Sequence, residues 1–443
     1  MYKRVIYWFK RDLRIDDNRA FCEACKNSQE IIPIFIFIPS LLDRFKSHDS
    51  RLGFIVDCIS SLSQDIKNKR GRLFCYYDEP VKIFEYIIEK YKPQAVYTNK
   101  AFSWTGEEIE EKVESLCREK NIAFHSIKDN FLSNIDKIPY TKIYSAFYKK
   151  WKLNLNADIS PSLEKINTPP IKETEIKDLQ NKLKFELNKT WKSDFGQRRL
   201  YSFDFSNYEK TRDKLDLDGT SKLSPYIRFG VLSLRKIYKR AIETVGEDCQ
   251  FIKELAWREF WYHIKFNFPE FKHLEFQQKR RSLHWHDDEN LIKAFINAQT
   301  GYPIVDAAIL QLKEEGWMHN RARMIVANFL TKDLLVDWRL GESFFMEYLL
   351  DYDEVVNTGN WQWNASVGPD PRPLRIFNPI IQAEKFDLHA KFIKKYIPEL
   401  RKMKAFELHN PLKFSLPYYK PIVNHYERVI SIRKFYSANK ENI

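Results

Sequence analysis

A chain of 443 residues, 44% of them hydrophobic, is longer than one core usually serves, so two domains are expected. Its net charge of +13 suits a polyanion such as nucleic acid as readily as it suits a lysine-rich solvated surface, and by itself decides neither. The six cysteines (22, 25, 58, 75, 117 and 249) include a Cys22–Cys25 pair with no second pair or nearby histidine, which argues against zinc and a disulfide framework and fits a reducing, cytoplasmic compartment.

The first 130 residues alternate between β-rich and helical patterns. Val5–Phe9, Ile31–Ile38, Leu73–Tyr77, Ala95–Thr98 and Ile122–Ile127 read as strands, and 51–68 and 81–91 as helices. Ile31–Ile38 is apolar on both faces, as a central parallel strand should be. It is too short to cross a membrane and carries Pro33. The opening MYKRVIYWFKRDLR is not a signal peptide. This alternation predicts a doubly wound α/β domain. It contains no G-x-G-x-x-G, so a dinucleotide-dependent oxidoreductase is disfavoured. Residues 131–200 lose periodicity, and 154–174, polar with three prolines, reads as an interdomain linker. From 201 to 443 no strand pattern persists. Segments 233–245, 248–268, 288–298, 303–316, 318–335 and 341–350 read as helices, predicting an all-helical second domain.

Four segments carry polar and aromatic side chains at spacings that suit chemistry. Asp218–Tyr226 gathers Thr220, Ser221 and Ser224 before a helix, which fits a phosphate or simple capping. Glu254, Trp257, Arg258 and Trp261 share one helical face. That face suits a planar, hydrogen-bonding ligand, or an amphipathic helix with an i,i+4 Glu–Arg pair. Asn320, Arg323 and Met324 share another, suited to a polar-edged heterocycle beside an anion or to a solvated basic surface. Asp351–Trp363 concentrates Asp351, Asp353, Asn357, Trp361 and Trp363 in 13 residues, without an EF-hand continuation, so no metal is expected. Seven of the 11 tryptophans lie between Trp257 and Trp363, through core packing or through stacking on planar ligands. Hydrolase, zinc-protease and P-loop motifs are absent.

Taken together, Trp8–Asn18, T-S-K-L-S (220–224), W-R-E-F (257–260), G-Y-P-I-V-D-A (301–307), G-W-M-H-N-R-A-R-M (316–324), D-W-R (337–339), W-Q-W (361–363) and R-I-F-N-P (375–379) resemble the photolyase/cryptochrome family in its own order. The resemblance covers nearly the whole chain. Within the family it is nearest the class I cyclobutane pyrimidine dimer photolyases. It implies an α/β antenna domain (1–130), a linker (131–200) and a helical domain (201–443) holding FAD, and it implies a carbon–carbon lyase active with reduced FAD under blue light. Tyr208, Thr220, Ser221, Leu223 and Ser224 would hold the FAD pyrophosphate. Arg258, Asn320 and Arg323 would line the flavin pocket, with Asp351 and Asp353 on the flavin and adenosine parts and Asn357 beside N5. Glu254 would bond a flipped-out dimer, Trp257 and Trp363 would stack on it, and Asn320 and Met324 would contact it. Arg321, Arg372 and Arg375 would reach phosphates. Trp361, Trp338 and Trp285 would relay an electron to oxidised flavin.

His319-Asn320 and Met324 stand where (6-4) photolyases carry histidines, and Asn357 and Trp363 are repair-type residues, so dimer repair is expected over the two alternatives, a cryptochrome photoreceptor without repair and a (6-4) photolyase. The proline-rich Val367–Leu374 departs from some bacterial relatives at the loop expected to grip DNA. The expected partner is dimer-containing DNA, met by a monomer with no membrane contact and no obligate protein partner, cytoplasmic or, in a eukaryote, nuclear. A second antenna chromophore (folate, deazaflavin or flavin) is possible, and nothing in the chain identifies it.

Overall fold

Strands that are apolar on both sides need cover on both sides, and a parallel sheet between helices supplies it. The computed structural model describes residues 1–45, 49–183, 188, 190–372 and 374–437. Pro373, within the proline-rich loop, lies outside the described residues. β1 (Tyr2–Phe9), β2 (Ser28–Phe37), β3 (Phe74–Tyr77), β4 (Ala95–Asn99) and β5 (Ala123–Ile127) form one sheet in the order β3-β2-β1-β4-β5, every pairing parallel. α1 (Arg19–Lys26), α2 (Asp49–Asn68), α3 (Pro80–Tyr91) and α4 (Trp104–Glu119) make the crossovers. Asn18 caps α1 by accepting from the Phe21 N–H. Beyond β1, Asp12 Oδ2 accepts from Tyr7 Oη (2.6 Å), Asn18 Nδ2 (3.1 Å) and Asn99 Nδ2 (2.7 Å), which ties the turn to β1, α1 and β4.

The chain divides into two compact units: residues 1–138, 151–203 and 221–248, and residues 139–150, 204–220 and 249–443. Two differences from the sequence expectation follow. First, 131–200 is not a loose tether. It folds into α5 (Tyr144–Leu153), α6 (Ile176–Leu183) and α7 (Ser193–Ser202). The proline-bearing loop between α5 and α6 is pinned by Ser160 N to Asp17 (2.7 Å) and Ile166 N to Lys69 (2.9 Å), with Ile166 buried. Short range polarity conceals such anchoring, because each bond joins residues about 100 or more apart in sequence.

Second, 221–248 belongs with the α/β unit. α8 (Leu234–Val245) is capped by Ser233, and its Arg235 is 2% exposed. Arg235 Nε donates to both Asp17 carboxylate oxygens (3.0 and 2.8 Å), and Nη1 donates to Asp129 (2.6 Å). Ser233 also donates to Asp17. A guanidinium buried between two carboxylates is a fixed joint, since removing one partner strands the others without solvent.

The second unit is helical. It contains α9 (Gln250–Asn267), α10 (Glu289–Ile296), α11 (Pro303–Glu315), α12 (Asn320–Asn328), α13 (Trp338–Tyr348), α14 (Glu354–Asn364) and α15 (His425–Ser437). The helix expected over 318–335 ends at Asn328 and passes into a π-helical turn, Phe329–Asp333. Lys332 and Asp333 are buried in that turn, where Lys332 Nζ donates to Tyr436 Oη (2.7 Å) and Asp333 pairs with His425 (2.5 Å). α13 starts earlier than the expected 341, because Asp337 caps it through the Arg339 N–H. Trp338 and Trp361 are buried in one apolar cluster of this unit, and Trp285 packs against it.

Replacing Arg235 with Leu should destabilise the protein by about 3–5 kcal/mol, because Asp17 and Asp129 lose their buried cation. Denaturant unfolding checks this, and an unchanged midpoint would contradict it.

Candidate functional site

The site begins with two glycines. A Cβ on Gly359 of α14 would stand 2.3 Å from Trp261 Cε3, and a Cβ on Gly341 of α13 would stand 2.1 Å from Trp361 Cη2. Each indole lies where a side chain would have been. α9, α14 and α13 therefore approach closely in series, with Trp261 and Trp361 both buried. This packing sets the side chains of α9 beside those of α14.

On α9, Trp257 stacks face to face on Tyr144, with ring centroids 3.6 Å apart and planes within 3°. Tyr144 is held by its hydroxyl, which donates to the Lys253 carbonyl (2.6 Å). The Trp363 ring stands edge-on to Trp257 at 5.2 Å and 81°. One turn before Trp257, Glu254 accepts from Gln250 Nε2 (2.7 Å) and pairs with Arg212. The result is a half-buried carboxylate one helical turn from an indole that meets a second indole at a right angle. Arg258 lies over the Tyr262 ring at 5.2 Å.

α12 contributes Asn320, whose Nδ2 lies 3.9 Å from Met324 Sδ, and Arg321, which pairs with Asp213 (2.8 Å) and covers the Phe386 ring. Arg375 pairs with Asp370 and lies 5.4 Å over Trp363, whereas Arg372 is exposed. Of the three arginines expected at phosphates, two thus have acidic partners within the protein.

On the other side of α14, Asn357 Nδ2 donates to the Glu342 carbonyl (3.1 Å) and carboxylate (2.8 Å). Tyr352 Oη donates to the same carboxylate (3.0 Å). Burial pushes the Glu342 carboxyl above its ordinary value, against the downward pull of these two bonds. Both amide hydrogens of Asn357 serve Glu342, which leaves its carbonyl oxygen to accept. Arg323 Nη2 donates to both oxygens of Asp351 (3.0 and 2.8 Å), and its Nε donates to the Met318 carbonyl (2.8 Å). Asp353 caps α14 and accepts from Tyr262 Oη (2.7 Å). An acceptor amide, a fixed ion pair and a helix-capping carboxylate could hold a polar heterocycle with its own donors and acceptors.

Tyr208 packs edge-on against Phe251 (5.4 Å), and burial raises its hydroxyl pKa. Thr220 closes a segment of the second unit. Ser221, Leu223 and Ser224 open a segment of the first, where Ser221 Oγ accepts from Leu223 N (3.4 Å) and Ser224 begins the short helix Ser224–Arg228. Sequence reading missed Arg212, Tyr144, Glu342 and Gly359. Only Gly359 left a signal, an isolated glycine inside a helical pattern. The others act through contacts across 15 to 113 residues, which no local period records.

Residues 251–438 match the family model described as the FAD binding domain of DNA photolyase, and residues 5–169 match that of DNA photolyase. A deoxyribodipyrimidine photo-lyase of Synechococcus sp. is 33% identical over 99% of this chain and 97% of its own. A photolyase of Sulfolobus tokodaii, solved with two FAD molecules, is 30% identical, with a TM-score of 0.88 over 98% of this chain and 100% of its own. A Synechocystis cryptochrome, 23% identical, shares the fold with a TM-score of 0.89 over 98% of this chain and 99% of its own.

Gly359→Ala should force α9 and α14 apart at Trp261, costing about 1–3 kcal/mol and weakening whatever both helices hold. A thermal melt coinciding with that of the parent protein would contradict this packing.

Proposed function

The chain belongs to the DNA photolyase family, and from that membership and the site we infer that it repairs cyclobutane pyrimidine dimers in DNA, using bound, reduced FAD and light. The observation that carries the reading is the right-angled pair Trp257 and Trp363, set beside the Glu254 carboxylate on helices that also carry Asn357.

When bound and reduced, FAD supplies on excitation the single electron that opens the cyclobutane ring and is afterwards returned. The protein's residues position both reactants. Tyr144 covers one face of Trp257, so the flipped-out dimer stacks on the other, while Trp363 borders its second ring. A dimer stacks poorly in the duplex and costs least to extrude, which favours lesion over intact DNA. Arg212 and Gln250 fix Glu254, whose carboxylate accepts from a pyrimidine N–H. Asn320 and Met324 border the same dimer.

With its amide held by Glu342, Asn357 would offer its carbonyl oxygen to the flavin ring. Arg258, Asn320, Arg323, Asp351 and Asp353 would line the rest of the cofactor, with Tyr208 and Thr220 of the same unit toward its pyrophosphate. Arg372, Arg321 and Arg375 meet the DNA backbone, the last two exchanging acidic partners for phosphates. Trp361 and Trp338, in one apolar cluster with Trp285 packed against it, would supply an electron to the flavin when it is bound and oxidised. A second, antenna chromophore belongs to the same reading, supported by the second FAD of the Sulfolobus tokodaii photolyase. The enzyme acts as a monomer in a reducing compartment, a reading that its six free thiols suit. No helix among the described residues is long and apolar enough to cross a membrane.

Purified protein given ultraviolet-damaged DNA should remove dimers under blue light and not in darkness. Glu254→Ala should keep its flavin and lose roughly ten- to a hundredfold in repair yield, as expected when a charged hydrogen-bond partner is removed. Flavin-loaded protein that removes no dimers in the light would overturn the assignment.

A further inference from the structure

The relay tryptophans sit in unlike surroundings. Trp338 and Trp361 are both 1% exposed. The Trp361 indole N–H has no acceptor among the described residues. The Trp338 N–H donates to Glu275 Oε1 (3.2 Å), a carboxylate whose side chain is only 5% exposed. Nothing in the family-matching motifs contains Glu275.

Glu275 is held firmly in place. Gln362, fully buried on α14 between Trp361 and Trp363, accepts from Phe276 N (2.9 Å) and donates to the carbonyls of Phe271 (2.9 Å) and Leu274 (3.0 Å). Arg281 Nε donates to the Glu275 carbonyl (2.9 Å). The loop bearing the carboxylate is thus clipped on both sides of residue 275 to the helix that bears Trp361.

Two cations stand near it: Arg281, on the backbone side, is partly exposed and shared with Glu270, and Arg339 meets the carboxylate itself. Arg339 pairs with Glu275 (2.9 Å) and lies 4.6 Å over the Trp338 ring. Its side chain is 37% exposed, so solvent screens the guanidinium far more than it screens the enclosed carboxylate. The field at the indole nitrogen is therefore set mainly by Glu275.

We propose that Glu275 makes Trp338 easier to oxidise than Trp361 and so draws the electron vacancy outward along the relay. This rests on the relay reading above. The step moves one electron from Trp338 to Trp361 after Trp361 has given its own to light-excited, oxidised flavin, which is the oxidant. No bond breaks, and the Trp338 proton stays on nitrogen, hydrogen-bonded to the carboxylate. Glu275 is a positioning residue, acting through Trp338. Without its charge the vacancy returns to Trp361 more readily and recombines.

The test uses oxidised holoprotein carrying Trp285→Phe, in which the vacancy stops at Trp338, followed by transient absorption after a blue flash. Adding Glu275→Gln keeps an acceptor but removes the charge, and should shorten the oxidised-tryptophan lifetime on the order of tenfold, the equivalent of losing about one charge-assisted hydrogen bond. Arg339→Gln, on the exposed side, should lengthen it. A lifetime unchanged or longer in Glu275→Gln, with flavin still bound, overturns the proposal. So does an Arg339→Gln lifetime that shortens. If the Trp285→Phe parent forms no oxidised tryptophan, the relay reading fails and takes this inference with it.

Discussion

Indole against glycine is the contact on which the second unit depends. Trp261 occupies the side-chain space of Gly359, and Trp361 occupies that of Gly341. Three helices are locked in register by this pair of contacts, and the groups they carry, Glu254, Trp257, Asn357 and Trp363 among them, take their places from that register. Glu254 and Trp257 reach Trp363 because α9 lies close to α14. Asn357 reaches Glu342 because α14 lies close to α13. An indole packed this way contributes burial and stiffness together, since a close-packed interior leaves little room for the helices to slide.

Charge is handled by pairing. Glu254 has Arg212, Asp351 has Arg323, Asp370 has Arg375, Glu275 has Arg339, and Arg235 has both Asp17 and Asp129. Pairing gives each group a fixed partner, and it orients each group before any ligand arrives. Arg321 and Arg375 differ in consequence from Arg235. They are partly exposed, so a phosphate can compete for them, whereas Arg235 is sealed and serves the fold alone.

The α/β half was legible because a parallel sheet writes apolar runs into its sequence. Ile31–Ile38 shows this plainly, and all of it but Ile38 lies in β2. The aromatic and polar motifs at 254–261, 316–324 and 351–363 were legible because each is short and continuous in sequence, on or leading into a single helix. The partners of these motifs were not. Tyr144 against Trp257, Arg212 against Glu254 and Glu275 against Trp338 are tertiary pairs with no local period. The placement of 221–248 turned on Arg235, which looks like any surface arginine until two distant aspartates enclose it. The π-helical turn at 329–333 was hidden for a related reason: a run of mixed residues keeps a helical pattern while its hydrogen bonding shifts to seat Lys332 and Asp333.

The most direct measurement is binding in darkness, at one fixed salt concentration, of a duplex carrying a single thymine dimer and of the same duplex undamaged. A site built from Trp257, Trp363 and Glu254 should prefer the damaged duplex by roughly a thousandfold or more, with the preference collapsing in Trp257→Ala. Equal affinity for the two duplexes would contradict the account, because the right-angled indoles would then have no extruded lesion to hold.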